Sequence, residues 1–177
     1  NRAQEPGAAP LPSLGQKLFG QHCAGCHGVT GDGNGLAAPF IFPKPRNFLL
    51  GKYKLVSTEN SVPSEADLDS LLVRGMPGSA MPSWGHLSRA DRAAIVGEVY
   101  RLTAIGARER YVANLKEQQG LTDEDIKAAD VQEEIAAYVK SRTTPGQAAA
   151  VPAIAPSDAP AVTRGKEHFA KQGCASC

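Results

Sequence analysis

Four cysteines occur in the 177-residue chain, and all of them fall in two Cys-x-x-Cys pairs. The first pair opens the run Cys23-Ala24-Gly25-Cys26-His27, while the second, Cys174-Ala175-Ser176-Cys177, ends the sequence with no His after it. Paired cysteines argue for a cofactor framework over scattered disulfides. Cys-x-x-Cys-His is the attachment pattern of a c-type haem. Two thiols at this spacing project from one helical turn, where each can form a thioether with a haem vinyl group. The following residue then sets an imidazole nitrogen beneath the iron as proximal ligand. Two other readings compete. A thioredoxin-like dithiol wants a βαβ context, and only loop is expected after this motif. A zinc site built from both pairs would have to close over nearly the whole chain and would leave His27 unused.

An iron bound by His27 needs a ligand on its other side. The only two methionines of the chain, Met76 and Met81, lie in one Gly/Pro-rich stretch, "RGMPGSAMPSW" over 74–84. Two Met confined to one such loop fit poorly with routine core filling, whereas a thioether opposite His suits a haem iron and raises its potential. One of the two is expected to bind iron and the other to pack beside it.

These groups must be positioned by helices. Ser13 to Cys26 reads as a short helix capped by Ser13, with Leu14, Leu18 and Phe19 on one face. Residues 28–47 are rich in Gly and Pro and read as loop. "YKLVST" (53–58) has the look of a brief extended segment or an ordered loop. "SEAD" at Ser64 resembles a capping box, with Leu68, Leu71 and Leu72 following and Gly75 as the stop. Ser88-Arg89-Ala90-Asp91 opens the strongest helix, whose apolar stripe is Ile95, Val96, Val99, Leu102 and Ile105. Gly106 is expected to interrupt it before a more polar helical stretch to Gln119. Thr122 to Asp125 forms a third box, leading a helix with Ile126, Val131, Ile135, Tyr138 and Val139. From Thr143 to Val162 an Ala/Pro-rich composition predicts a semi-extended linker.

After that linker the opening pattern returns. "GQKLFGQHCAGC" (15–26) and "GKEHFAKQGCASC" (165–177) share Gly-x-x-x-Phe and then Cys-Ala-x-Cys, with one extra residue in the second. The closing copy reads as the truncated start of a second unit. Cys174 and Cys177 would then be an incomplete second haem site, awaiting a His.

Bulk properties exclude several classes. Net charge is +1, from 19 Lys and Arg against 18 Asp and Glu, with no basic cluster, so nothing supports nucleic-acid binding. A hydrophobic fraction of 42% and a charged fraction of 21% are ordinary for a soluble globular chain. No apolar run is long enough to span a membrane. The Ala/Pro/Gly-rich opening reads as a flexible tail over residues 1–12, with no start Met and no basic, apolar leader. It fits a mature product whose secretion signal has been removed, so a periplasmic or otherwise exported location is expected.

From about Leu11 to Ile105 the chain resembles the class I c-type cytochromes: a helix into Cys23-Ala24-Gly25-Cys26-His27, a loop, a Met loop and a closing helix. The resemblance implies a mainly α, class I cytochrome c fold around covalently attached haem over residues 13–105. Residues 106–142 depart from the family as an extra helical extension, followed by the linker 143–163 and the partial second unit 164–177. In the family the distal Met follows a Pro-Gly pair by two residues, as in "PGSAM", and Met81-Pro82 matches the Met-Pro common in bacterial members. Met81 is therefore favoured over Met76. The family also has a Pro whose carbonyl accepts the proximal His Nδ1–H, a role that falls on Pro39 here. "PKPRNF" and "GKYKL" resemble a stretch found in a subset of bacterial relatives. Arg46 is a suitable fork-shaped partner for a haem propionate. Trp84, the sole Trp, is expected to line the haem pocket or donate to a propionate, with core packing as the alternative. The glycines of "TGDGNG" (30–35) turn the chain beside the haem and hold no ion. His22, His86 and His168 are expected at the surface or in loops.

The function implied is electron transfer by a His/Met-ligated haem c, within a di-haem cytochrome c, between a redox protein donor and an acceptor. With both axial positions filled, no site is left for a substrate, so the chain is expected not to be an enzyme. The alternative is an electron-entry subunit or fragment of a di-haem dehydrogenase- or peroxidase-type enzyme. A haem-based sensor or assembly scaffold is a third possibility. The charge balance identifies no partner.

Overall fold

The computed structural model describes residues 12–153 and 157–176. The expected tail over residues 1–12, apart from Pro12, and Cys177 lie outside the described residues. Among the described residues six α-helices follow one another: α1 (Leu14–His22), α2 (Ala24–His27), α3 (Glu65–Arg74), α4 (Arg89–Gln119), α5 (Ala129–Thr143) and α6 (Ala159–Lys171). Short 3-10 turns lie at Ala38–Phe40, Asp125–Lys127 and Cys174–Ser176. The described residues include no strand, as expected of a mainly α fold. The expected extended segment 53–58 contributes only an isolated bridge between Thr58 and Ala148.

Side-chain caps start the helices where the sequence predicts. Ser13 accepts from the Gln16 amide at 3.2 Å while the Gln16 side chain accepts from the Ser13 amide at 2.8 Å, a complete capping box. Ser64 and Asp67 make the same reciprocal pair at the head of α3, at 3.1 and 2.8 Å. Ser88 accepts from the Asp91 amide at 3.1 Å to start α4. Gly120, with φ 71°, ends that helix in the left-handed conformation that glycine adopts without a Cβ penalty.

One core lies between α1, α3 and α4. Phe19, Phe48, Leu68, Leu72, Ile95, Val96, Val99 and Leu102 are buried in it. α1 crosses α4 at Gly15, where any Cβ would collide with the Ala94 carbonyl, so the close backbone approach depends on glycine. A second cluster of Leu115, Ile126 and Ile135 joins the far half of α4 to α5. Tyr111 and Tyr138 stack beside it at 4.1 Å between ring centroids.

Three expectations need correction. Gly106 does not interrupt α4, which runs unbroken for 31 residues, about 46 Å at 1.5 Å per residue. The glycine is required there by tertiary packing: a Cβ would sit 2.5 Å from Leu49 Cα and on the Leu49 carbonyl. The box at Thr122 caps the Asp125–Lys127 turn, and α5 starts only after Ala128, whose ψ of 143° breaks the helical path. The stretch expected to be a linker is only partly extended. Its first residues are tied to the loop before α3, because the Asn60 side chain donates to the Thr144 carbonyl and accepts from the Gly146 amide, both at 2.9 Å. Backbone bonds from Glu59 to Gln147 (3.0 Å) and from Ala149 to Ser57 (2.8 Å) extend that tie. At its far end α6 begins by Ala159, capped by Asp158. Ala is a strong helix former and Pro160 is tolerated in the first turn, which explains how so Pro-rich a stretch starts a helix.

Candidate haem site

α1 ends at Cys23, whose amide bonds back to the Phe19 carbonyl at 2.8 Å, and the chain turns straight into α2. The His27 amide closes that turn on the Cys23 carbonyl at 2.8 Å. Cys23, Cys26 and His27 therefore share one turn of backbone, as the motif requires. Cys23 packs against the core. Burial, reinforced by the neighbouring Cys26, pushes its thiol up to about 11. Both thiols are free, not joined to each other.

His27 looks into a cleft between the loop 46–55, α3, α4 and the Met loop. Its walls include Phe48, Tyr53, Leu68, Leu72, Val96 and Val99, and it encloses about 620 Å³ of empty space, counting the part open to solvent. Burial holds His27 below the ordinary imidazole range; the hydrogen bond to the Arg46 carbonyl works against it, and the Arg46 charge adds a smaller lowering effect. A neutral imidazole is the form that binds a metal.

His27 Nδ1 lies 2.9 Å from the backbone carbonyl oxygen of Arg46. A carbonyl only accepts, so Nδ1 carries the proton and Nε2 is left as the donor atom for a metal. This corrects the role expected for Pro39, which sits exposed in the Ala38–Phe40 turn. Arg46 takes the role because the chain doubles back under the motif. The Gly33 amide bonds to the His27 carbonyl at 2.8 Å, and the Phe48 amide to the Gly31 carbonyl at 2.7 Å. Those two bonds lay residues 46–48 beside the imidazole. The Phe48 ring then stacks on His27, with centroids 4.6 Å apart and planes 24° apart.

Met76 and Met81 both line the cleft. Their loop is knitted by Ser79, whose hydroxyl donates to the Met76 carbonyl at 2.8 Å and accepts from the Met81 amide at 3.3 Å. The Met76 amide closes the loop on the Met81 carbonyl at 3.1 Å, and Gly75 with φ 69° lets the two ends come together. Met81 also packs against the main core. Arg46 lines the cleft as well.

Trp84 is placed elsewhere. It does not line the cleft but packs at the edge of the core between His22 and His86, at 5.1 and 5.8 Å between centroids. Its amide is committed to the Leu72 carbonyl at 2.7 Å, which fixes its backbone at the end of α3. Cys174 is exposed in the last 3-10 turn, far down the chain from this cleft. Sequence reasoning missed Tyr53, whose hydroxyl meets Thr103 Oγ1 at 2.6 Å at the cleft wall. Nothing local marks that pairing.

The residues fit a haem c. One turn offers two thiols and a neutral imidazole with Nε2 free. The facing loop offers thioethers, and the walls between them are apolar side chains that would otherwise border water. Cys23 and Cys26 would hold the group covalently, with His27 and one Met on the iron.

A search of curated proteins finds no match. Among solved structures, the fold is similar to a chain of the Kuenenia stuttgartiensis reducing HAO-like protein complex, with a TM-score of 0.62 at 24% identity over 90% of this chain. The match spans 58% of that longer chain. Residues 12–97 match the family model for Cytochrome c. That match covers the motif turn, the cleft and the Met loop, and this part of the chain is a c-type cytochrome domain, of the family that binds haem c covalently and passes electrons through it.

Proposed function

We propose that the chain is an electron-transfer module of a di-haem cytochrome c, with its complete haem on Cys23, Cys26 and His27 and with Met81 as the distal ligand. The observation that carries the reading is the cleft itself, in which an imidazole with Nδ1 committed to a carbonyl faces a rigid methionine loop. The haem supplies a reversible one-electron couple. The protein's part would be to hold the His27 and Met81 donor atoms in place, so that little moves when the charge changes, and to exclude water with Leu68, Leu72, Val96 and Val99. Packing of Met81 against the core supports it over Met76 as the ligand. Arg46, on the cleft wall, is proposed to pair with a propionate.

The second haem of the proposal rests on the repeat. Gly15 and Phe19 of α1 are buried against α4 and the core, whereas of the matching positions in α6 Gly165 has nothing within 4 Å of a Cβ among the described residues and Phe169 is 55% exposed. α6 thus has the docking face of α1, and the proposed second unit would supply the helix that covers it. The exposed Phe40 and Phe42, 89% and 93% accessible on the loop after the motif, suit contact with a redox partner protein. The proposed location is the periplasm or another exported compartment, and cell fractionation tests it.

A second reading makes the chain an electron-entry subunit of a redox enzyme complex. It is favoured by the similar fold within a structure described as a reducing HAO-like protein complex. Intact mass with iron stoichiometry, combined with carbon monoxide titration of the reduced protein, separates the readings. One or two covalent haems inert to carbon monoxide, with the far-red ferric band of Met–iron bonding, support the carrier. Ready carbon monoxide binding without denaturation sinks it in favour of the enzyme.

A further inference from the structure

The family match ends at residue 97, yet α4 continues to Gln119. Three side-chain positions on this continuation, Thr103, Gly106 and Arg110, are spaced so that they share one face of the helix. All three meet the same short segment, the strap from Arg46 to Tyr53.

Thr103 is 1% exposed. Its hydroxyl directs its one hydrogen toward the Val99 carbonyl at 3.0 Å and the Phe48 carbonyl at 3.3 Å, so it accepts from the Tyr53 hydroxyl at 2.6 Å. Gly106 allows Leu49 to press on the helix backbone. Arg110 donates from Nη1 to the Leu49 carbonyl. Helix and strap are thus joined at Phe48, Leu49 and Tyr53. The same strap carries the Arg46 carbonyl that accepts from His27 Nδ1 at 2.9 Å and the Phe48 ring that stacks on His27.

We infer that α4 beyond residue 97 positions the proximal ligand, with Thr103, Gly106 and Arg110 holding the strap whose Arg46 carbonyl orients His27. None of the three touches the imidazole; they are positioning residues that act through the strap. A carbonyl held at fixed distance keeps the imidazole in one tautomer and one orientation, and the strength of that bond sets how electron-rich Nε2 is. α4 beyond residue 97 therefore has a function at the haem site.

The inference rests on His27 serving as an iron ligand, which covalent haem and a low-spin spectrum of the unsubstituted protein establish separately. The test uses the haem-loaded full chain and the variants Thr103→Val, Gly106→Ala, Arg110→Gln and Arg110→Lys. Leu115→Ala, buried in the second cluster of the same helix, serves as the control for stability alone. Midpoint potential, thermal midpoint and NMR exchange of the His27 Nδ1 proton are read for each. Thr103→Val and Arg110→Gln should speed proton exchange and shift the potential, and Arg110→Lys should restore part of both. Leu115→Ala should lower the thermal midpoint and leave the other two readings in place. Should Gly106→Ala fail to fold, Arg110→Gln decides. Thr103, Gly106 and Arg110 variants that lose stability while keeping wild-type exchange and potential overturn the inference. So does a Leu115→Ala variant that shifts the potential as much as they do.

Discussion

The Arg46 backbone carbonyl accepts the Nδ1 proton of His27 at 2.9 Å, while the charge of the same residue's guanidinium acts on the imidazole across the cleft that Arg46 helps to line. One residue therefore acts on the proximal ligand in two separable ways, and substitution of the side chain removes only one of them.

Arg46→Gln should keep the covalent haem and the His27 bond but lower the midpoint potential, because a cation near the iron favours the reduced state. A charge interaction on the order of 1 kcal/mol corresponds to about 40 mV on a one-electron couple. Pro39→Ala, exposed and unbonded to His27, should change neither reading. Spectroelectrochemical titration of the two variants checks both statements, and a Pro39 effect larger than that of Arg46 would refute the assignment.

The two methionines give a second comparison. Met81→Leu should abolish the far-red ferric band and lower the potential, since thioether ligation raises it. Met76→Leu should retain the band and lose only packing, about 1 kcal/mol for a near-isosteric swap. Reversal of these results in ferric absorption spectra would move the ligand to Met76.

Asp67 ties the loop before α3 to the helix. Its Oδ2 accepts from the Ser57 amide and hydroxyl, each at 3.0 Å, and from the Ser64 amide at 2.8 Å. Burial works to raise its pKa, but those hydrogen bonds together hold the carboxyl below its usual value. A depressed carboxyl contributes stability that is complete above the unfolded value of about 3.9 and fades as pH falls through the folded one. Asp67→Ala should thus lose about 1–2 kcal/mol at neutral pH and lose less at acid pH, once the folded carboxyl is protonated. Urea unfolding at several pH values measures the difference, and a penalty independent of pH would contradict this account.

The repeat allows a test of context. Gly15→Ala places a Cβ on the Ala94 carbonyl and should cost about 1–3 kcal/mol as α1 is pushed from α4. Gly165→Ala, with nothing within 4 Å, should be neutral or add up to about 1 kcal/mol through helix propensity. Thermal unfolding of this chain followed by circular dichroism discriminates the two. Equal penalties would mean that α6 is packed after all.

The sequence by itself determined whatever depends on neighbours along the chain. Cys23, Cys26 and His27 share a turn because their spacing allows nothing else once a helix forms there. The boxes at Ser13 and Ser64 close on side chains three residues away, so the starts of α1 and α3 are local facts. The Met loop was legible in composition alone. Only the tertiary structure decided which carbonyl meets His27. Pro39 and Arg46 are both within reach of a loop, and the choice was made by the Phe48–Gly31 and Gly33–His27 bonds that fold the loop back. It also decided the meaning of Gly106, which local propensity marks as a helix break. The glycine is there because Leu49, far away in sequence, presses on the helix at that point. Trp84 went to His22 instead of the cleft for a similar reason: its backbone is fixed to Leu72, and the ring follows the backbone. Spacing sets which donors are available, and long-range packing sets which of them face one another.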